Sequence, residues 1–240
     1  MENIFTFAAN QLSSIMEVYI QLPVNRKLFI RDPESTDLGR RMLAESIRFI
    51  HQYGFEEFTF KKLAYSIGTT EATIYRYFEN KHRLLIYIVD WYWSWLHYLC
   101  IEKTRKTSDP AQRIRKIIRI LTNGEAEGVS FRHIDKNLLK GIVISEGSKA
   151  WLTRHVVQDN RDKLFKPYKD LCGFVAGIFL EYRPRYRYSR SLATTVVKMS
   201  HTLNFYTMNL PSLTDYGTSK DTRRIRPFLE DLVLSTLKNH

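Results

Sequence analysis

The chain has 240 residues, 44% of them hydrophobic and 26% charged, and a formal net charge of +12. That length suits one large domain or two small ones, and 10 Gly and 7 Pro exclude a low-complexity chain. No apolar run reaches the length of a membrane span; the window Ile4 to Leu22 is broken by Asn10, Gln11, Glu17 and Gln21 and lacks a signal peptide's basic lead, so no membrane partner is expected.

Residues 1–35 read as an extension, with Ile4, Phe5, Ala8, Leu12, Ile15, Tyr19 and Leu22 on one helical stripe. Its net charge of −1 favours packing on its own domain or a partner subunit over phosphate binding. Ser35, Thr36 or Asp37 caps a helix running to Tyr53, whose apolar positions Met42, Leu43, Ile47, Phe49 and Ile50 recur at helical spacing. Gly54 follows where a terminating glycine belongs. Thr59 caps a short helix burying Phe60, Leu63, Ala64 and Ile67, and Gly68-Thr69-Thr70 makes a turn. Thr70 caps the next helix, which buries Ala72, Ile74 or Tyr75, and Phe78. Asn80 opens a long helix from Lys81 to about Lys103.

Asp109-Pro110, an Asp cap with Pro in the first turn, starts a helix to about Thr122. Gly124 to Gly128 reads as a loop. Helical patterns follow over Ile134–Ser145 and Lys149–Glu181, the latter with a possible break near Lys166-Pro167. A Tyr/Arg-rich connector, Arg183 to Arg190, leads to an apolar helix Ser191–Met208, a polar loop over 212–221, and a last amphipathic helix Arg223–Leu237. There is no internal repeat and no strand pair in this pattern. The expected fold is therefore all-α: an extension (1–35), a helix-turn-helix domain (36–85) and a larger helical domain (86–240).

Cys100 and Cys172 have no metal-ligand spacing and read as free thiols in a reducing cytoplasm. Seven His residues lack ligand spacing, and no G-x-S-x-G, P-loop or G-x-G-x-x-G occurs. No catalytic residue, metal or cofactor is assigned, and no enzyme is expected.

The stretch from Gly54 to Leu85 has the layout of a DNA reader, which needs a rigid turn, helix N-termini that clasp phosphates, and side chains that reach base edges. Gly68 permits the turn, and Thr59, Thr70 and Asn80 begin helices. Lys81 adds a cation. Glu71, Thr73, Arg76 and Tyr77 are the outward positions, with Ala72 suited to a thymine methyl, Arg76 to guanine, and the Tyr75 and Tyr77 hydroxyls to phosphate. The competing reading is a plain helical hairpin with Tyr75, Tyr77 and Phe78 as core. Bulk basicity does not decide between them: residues 36–105 carry only +2, whereas residues 106–240 carry +11.

The pattern Gly54…Thr59-Phe60-Lys61-Lys62-Leu63-Ala64…Ile67-Gly68-Thr69-Thr70-Glu71-Ala72-Thr73-Ile74-Tyr75-Arg76-Tyr77-Phe78-Glu79-Asn80-Lys81…Leu84-Leu85 resembles the N-terminal domain of the TetR family of bacterial transcriptional regulators. The likeness covers about residues 37–85. It departs from the family pattern at Ile67, Thr69, Glu71 and Ala72, which leaves the base preference open. The resemblance implies a homodimeric, cytoplasmic regulator of a palindromic operator in double-stranded DNA, a repressor released by an unidentified small molecule. It implies a ligand pocket among the middle helices, with Trp95, Leu99, Phe131, Trp151, Phe174 and Ile178 as candidates. It implies dimerisation through the last two long helices, with Leu192, Val196, Met199, Leu203, Phe228 and Leu232 as candidates. Such stripes also occur as plain core. Two basic clusters, Arg113/Arg115/Lys116/Arg119 and Arg183/Arg185/Arg187/Arg190, suit either a solvated surface, an anionic ligand or nonspecific DNA attraction. The alternatives are a helical protein adaptor whose motif no longer binds DNA, and a DNA-processing enzyme such as a tyrosine recombinase.

Overall fold

The computed structural model describes residues 24–123, 134–216 and 221–239. The stripe expected over Ile4 to Leu22 and the loop Gly124 to Gly128 lie outside them. Among the described residues the regular elements are all helical: α1 Asp37–Glu57, α2 Phe60–Ser66, α3 Glu71–Tyr75, α4 Lys81–Thr104, α5 Pro110–Asn123, α6 Lys136–Ser145, α7 Val156–Arg161, α8 Lys166–Tyr182, α9 Ser189–Asn209 and α10 Ile225–Lys238. None of these is long and apolar enough to cross a membrane.

Six of the helix starts, those of α1 to α6, carry side-chain caps. Thr36, Thr59, Thr70, Asn80 and Asp135 each accept a hydrogen bond from a first-turn amide that has no partner within its helix. Asp109 does the same for Ala111 and Gln112. Alanine at such a position typically costs about 1 kcal/mol.

Two expectations change. Gly54, at φ 83° and ψ 163°, interrupts α1, but one further turn carries the helix to Glu57. The long helix expected over Lys149–Glu181 is three pieces: a 3-10 turn at Gly147–Ala150, α7, and α8. Lys163, between α7 and α8, has φ 60°, a left-handed conformation no helix continues through. The sequence marks this break only with Lys166-Pro167, four residues later.

The helices α4, α5, α8, α9 and α10 pack into one bundle, with α8 against α4, α5 and α9, and α10 against α5 and α9. A continuous apolar core runs from Leu28 through Phe58, Phe78, Tyr92 and Trp95 to Leu237. Helix α4 passes unbroken from the first three helices into the bundle, so residue 85, the expected domain boundary, falls inside it.

The N-terminal helices meet the bundle along α6, α7 and the turn before α7. Helix α1 packs on α6 so closely that a Cβ at Gly141 would lie 2.6 Å from the His51 ring. A side chain there would require the exposed His51 ring to turn aside. Lys149 reaches both Glu56 of α1 and Glu146, at 2.9 Å each. Arg83, in the first turn of α4, pairs with Asp159 of α7 at 2.7 Å, where the carboxylate is almost fully buried. Residues 24–36 form a strap across the same seam. At one end Asn25 donates to the Asp162 carbonyl (2.9 Å) and Lys27 pairs with the Asp162 carboxylate (2.5 Å). At the other end the Ile30 amide donates to the Tyr77 carbonyl (2.8 Å) and Leu28 is buried in the core.

Candidate DNA interface

Helices α2 and α3 cross at a turn whose geometry closes α2 completely. The Gly68 amide bonds the Tyr65 carbonyl, and the Thr69 amide bonds the Ala64 carbonyl, the paired ending of a left-handed helix cap. Gly68 supplies the φ of +66° that this ending needs, with open space where a Cβ would sit. Thr70 then caps α3, its hydroxyl accepting from the Thr73 amide (3.2 Å) and meeting the Thr73 hydroxyl (2.9 Å). Ile74 and Phe78 anchor α3 in the core beside Leu63 and Ala64, and Phe60 meets the Tyr75 ring edge-on at 5.0 Å.

This anchoring leaves Ala72, Tyr75 and Arg76 exposed and Glu71 and Thr73 half-exposed on one short helix. The open choice between Ile74 and Tyr75 resolves toward Ile74 as the buried residue, and Ala72 is not core. Thr59 is exposed at the start of α2. These residues form one polar, cation-bearing face beside two helix N-termini, the arrangement that accepts phosphates and presents side chains to base edges.

Two residues are not on that face. Tyr77 is 3% exposed, so it does not stand outward as expected. Its hydroxyl meets the Thr36 hydroxyl at 2.8 Å and Arg31 lies 5.4 Å over its ring, tying the end of α3 to the start of α1. Lys81 is not a free cation. Its ammonium donates to the carbonyls of Phe55 (3.1 Å), Glu56 (3.2 Å) and Phe58 (3.0 Å), so all three protons cap the end of α1. Conversely, Tyr65 is 90% exposed beside the turn and Lys61 is exposed on α2, and neither was singled out from the sequence. The signal was a Tyr standing off the Phe60/Leu63/Ala64 stripe.

The family model for bacterial regulatory proteins of the tetR family matches residues 42–88, the segment that holds this face. Over that segment the chain is similar to the tetR family. A 53-residue stretch is 40% identical to an uncharacterized HTH-type transcriptional regulator, YvaF, of Bacillus subtilis strain 168. That stretch is 22% of this chain and 27% of the relative, so the chain spans about a quarter of the length of the curated relative it matches. Beyond this tetR-family domain the likeness is one of fold. A transcriptional regulator FadR from Bacillus subtilis, solved in complex with stearoyl-CoA, superposes with a TM-score of 0.57 at 17% identity, over 81% of this chain and 97% of that one. AibR, solved in complex with isovaleryl coenzyme A and operator DNA, superposes with a TM-score of 0.55 at 16% identity, over 80% and 97%.

In the C-terminal bundle, the six expected pocket residues divide. Trp95, Leu99 and Ile178 are sealed in the core, at 2% exposure or less. Burial places them inside the bundle, packed in its core. Phe131 lies outside the described residues. Trp151 stacks on Tyr168 (5.4 Å, 28°) and Phe174 meets His97 (5.7 Å), and both remain half-buried. The expected dimer residues divide too. Val196 and Leu203 point into the chain's own core, at 0% and 7% exposure, so they are withdrawn from the interface. Leu192, Met199 and Leu232 are half-buried, and Phe228 on α10 is exposed, as are Met208, Leu210 and Leu213 at and just after the end of α9.

The basic clusters also separate. On α5, Arg113 pairs with Glu181, Arg115 reaches Glu230 at 3.8 Å, and Lys116 donates to the Thr107 hydroxyl at 2.6 Å, so this cluster is tied into the bundle. Arg183, Arg185, Arg187 and Arg190 are exposed, but they follow the C-terminus of α8, whose N-terminal end adjoins the reader through the α7–α8 corner. Seventeen helical residues, about 25 Å, separate the two ends. That distance removes the connector from the reader's surface.

Proposed function

We propose that the protein is a homodimeric, sequence-specific DNA-binding transcriptional regulator, a cytoplasmic repressor whose hold on a palindromic operator is loosened by a small molecule bound in the C-terminal bundle. The observation that carries this reading is the exposed face of α3, where Arg76 and Tyr75 project from a helix fixed by Ile74 and Phe78. A side chain on a rigid helix reads base edges because its position is set before contact. Thr59 and Thr70 supply helix N-termini for phosphate, and Arg76 supplies a donor fork that matches guanine. The stearoyl-CoA and isovaleryl-coenzyme A complexes of the two regulators of similar fold support an effector site in the bundle. A ligand that prefers one separation of the two readers shifts operator affinity without touching DNA.

Selection of bound sequences from random duplex DNA by the purified protein tests this. The expected result is a palindromic consensus with half-sites roughly 34–36 Å apart or a multiple of that. No enrichment at low salt would remove the regulator reading in favour of an adaptor.

A further inference from the structure

Trp93 of α4 lies between Tyr168 of α8 and His201 of α9, with ring centroids 4.9 Å from each. Tyr168 stacks on Trp151, and Lys198 of α9 holds its ammonium 5.5 Å from the Trp151 ring. The acceptors in this group are already used. The Tyr92 hydroxyl lies 2.7 Å from His201 Nε2, while His201 Nδ1 faces the Val197 carbonyl at 3.2 Å and the Ser200 hydroxyl at 2.9 Å. A carbonyl only accepts, so Nδ1 carries the proton and Nε2 receives the one from Tyr92. Burial pushes the His201 pKa down to about 3; the Val197 carbonyl opposes this, and the charges of Lys140 and Lys198 add to it. The ring is neutral.

What remains is a set of donors. Trp93 Nε1 is buried with no hydrogen-bond partner among the described residues. Lys198 has no carboxylate partner among the described residues, and burial lowers its pKa. Lys140 of α6 donates to the Thr122 carbonyl at 2.8 Å and likewise meets no carboxylate there; burial lowers its pKa as well. An unpaired N–H and partly desolvated ammonium groups are costly to keep together, and an acceptor with negative charge offsets both costs at once.

We propose that this junction of α4, α8 and α9 binds an organic carboxylate, its apolar body against Trp151 and Tyr168 and its oxygens on Trp93 Nε1 and Lys198. Lys140 adds positive charge from α6. This rests on the effector reading above and names the ligand's chemical class.

Titration calorimetry of the full-length protein with 2-naphthoate, 2-naphthamide and 2-naphthylmethylammonium separates charge from shape. The carboxylate is expected to bind at least tenfold tighter than the amide, and the ammonium not detectably. Lys198→Met should cut naphthoate affinity at least tenfold and leave the amide unchanged. Trp93→Phe keeps a ring but removes the N–H, and should cost several-fold for naphthoate and less for the amide, whose neutral carbonyl accepts the same N–H more weakly; a melting curve shows that each variant folds. Absence of naphthoate binding at millimolar concentration, equal affinity for the amide, or an unchanged Lys198→Met variant would overturn the proposal. Operator release is read separately. Naphthoate that binds without releasing operator leaves the site standing and removes its effector role. Release by the amide or the ammonium, without naphthoate binding, keeps the effector reading and overturns the carboxylate.

Discussion

Asp90 sits in the middle of α4 among Ile88, Val89, Trp91 and Tyr92, all buried, and one of its carboxyl oxygens has no hydrogen-bond partner. Burial raises its pKa well above the usual carboxylate value, so the folded chain keeps a proton that the unfolded chain releases above about pH 4. Stability therefore falls as pH rises from about 4. His201 acts oppositely: its proton is lost on folding, so it adds stability as pH rises from 3 to 6.5. The two slopes oppose one another above pH 4, and the His201 contribution ends near pH 6.5. Asp90→Asn should raise the melting temperature at pH 8 and lose that advantage near pH 4, as thermal melts across pH will measure. At the reader, Arg76→Ala should cost operator binding about 1–3 kcal/mol, with weaker discrimination at one base pair, by fluorescence anisotropy. Residues like Arg76 were legible because an exposed polar residue between apolar ones has one place to go. Tyr77 was not: a hydroxyl suits phosphate or a buried partner equally, and Thr36, which decides it, lies 41 residues earlier.

Lys81 belongs to the scale of elements, since it joins the end of α1 to the start of α4. Lys81→Met should lower stability by about 1–3 kcal/mol through three freed carbonyls, measured by urea unfolding. Its effect on operator affinity should follow that loss of order and leave the salt dependence nearly unchanged, whereas removal of a phosphate contact reduces the salt slope. Arg83→Met should cost more, about 3–5 kcal/mol, because Asp159 is left buried and charged; adding Asp159→Leu should recover most of it. Helix existence was legible throughout because caps such as Thr59, Thr70, Asn80 and Asp109 are local chemistry. The break at Lys163 was not legible, since its side chain does not demand the left-handed backbone with which the Lys163 and Leu164 amides close α7 on the Asn160 and Asp159 carbonyls.

For the whole molecule, the exposed apolar Phe228 on α10 is where the dimer proposed above is tested. Phe228→Glu should shift the protein toward monomer in sedimentation velocity and weaken operator binding in parallel. The stripes on these helices were visible in the sequence, but periodicity cannot say which side faces its own bundle, and Val196 and Leu203 turned out to face inward. The strap completes the picture. Asp159 and Asp162 hold Arg83 and Lys27 from one short corner, beside the packing of α1 on α6 and the α4 shaft. Each tie limits how far the reader tilts on the bundle. In the dimer proposed above, that tilt sets the span between the two readers. Cutting one tie with Asn25→Ala and Lys27→Ala should loosen the span, so that operators with half-sites moved by one base pair, poor for the parent, bind the variant nearly as well as the original.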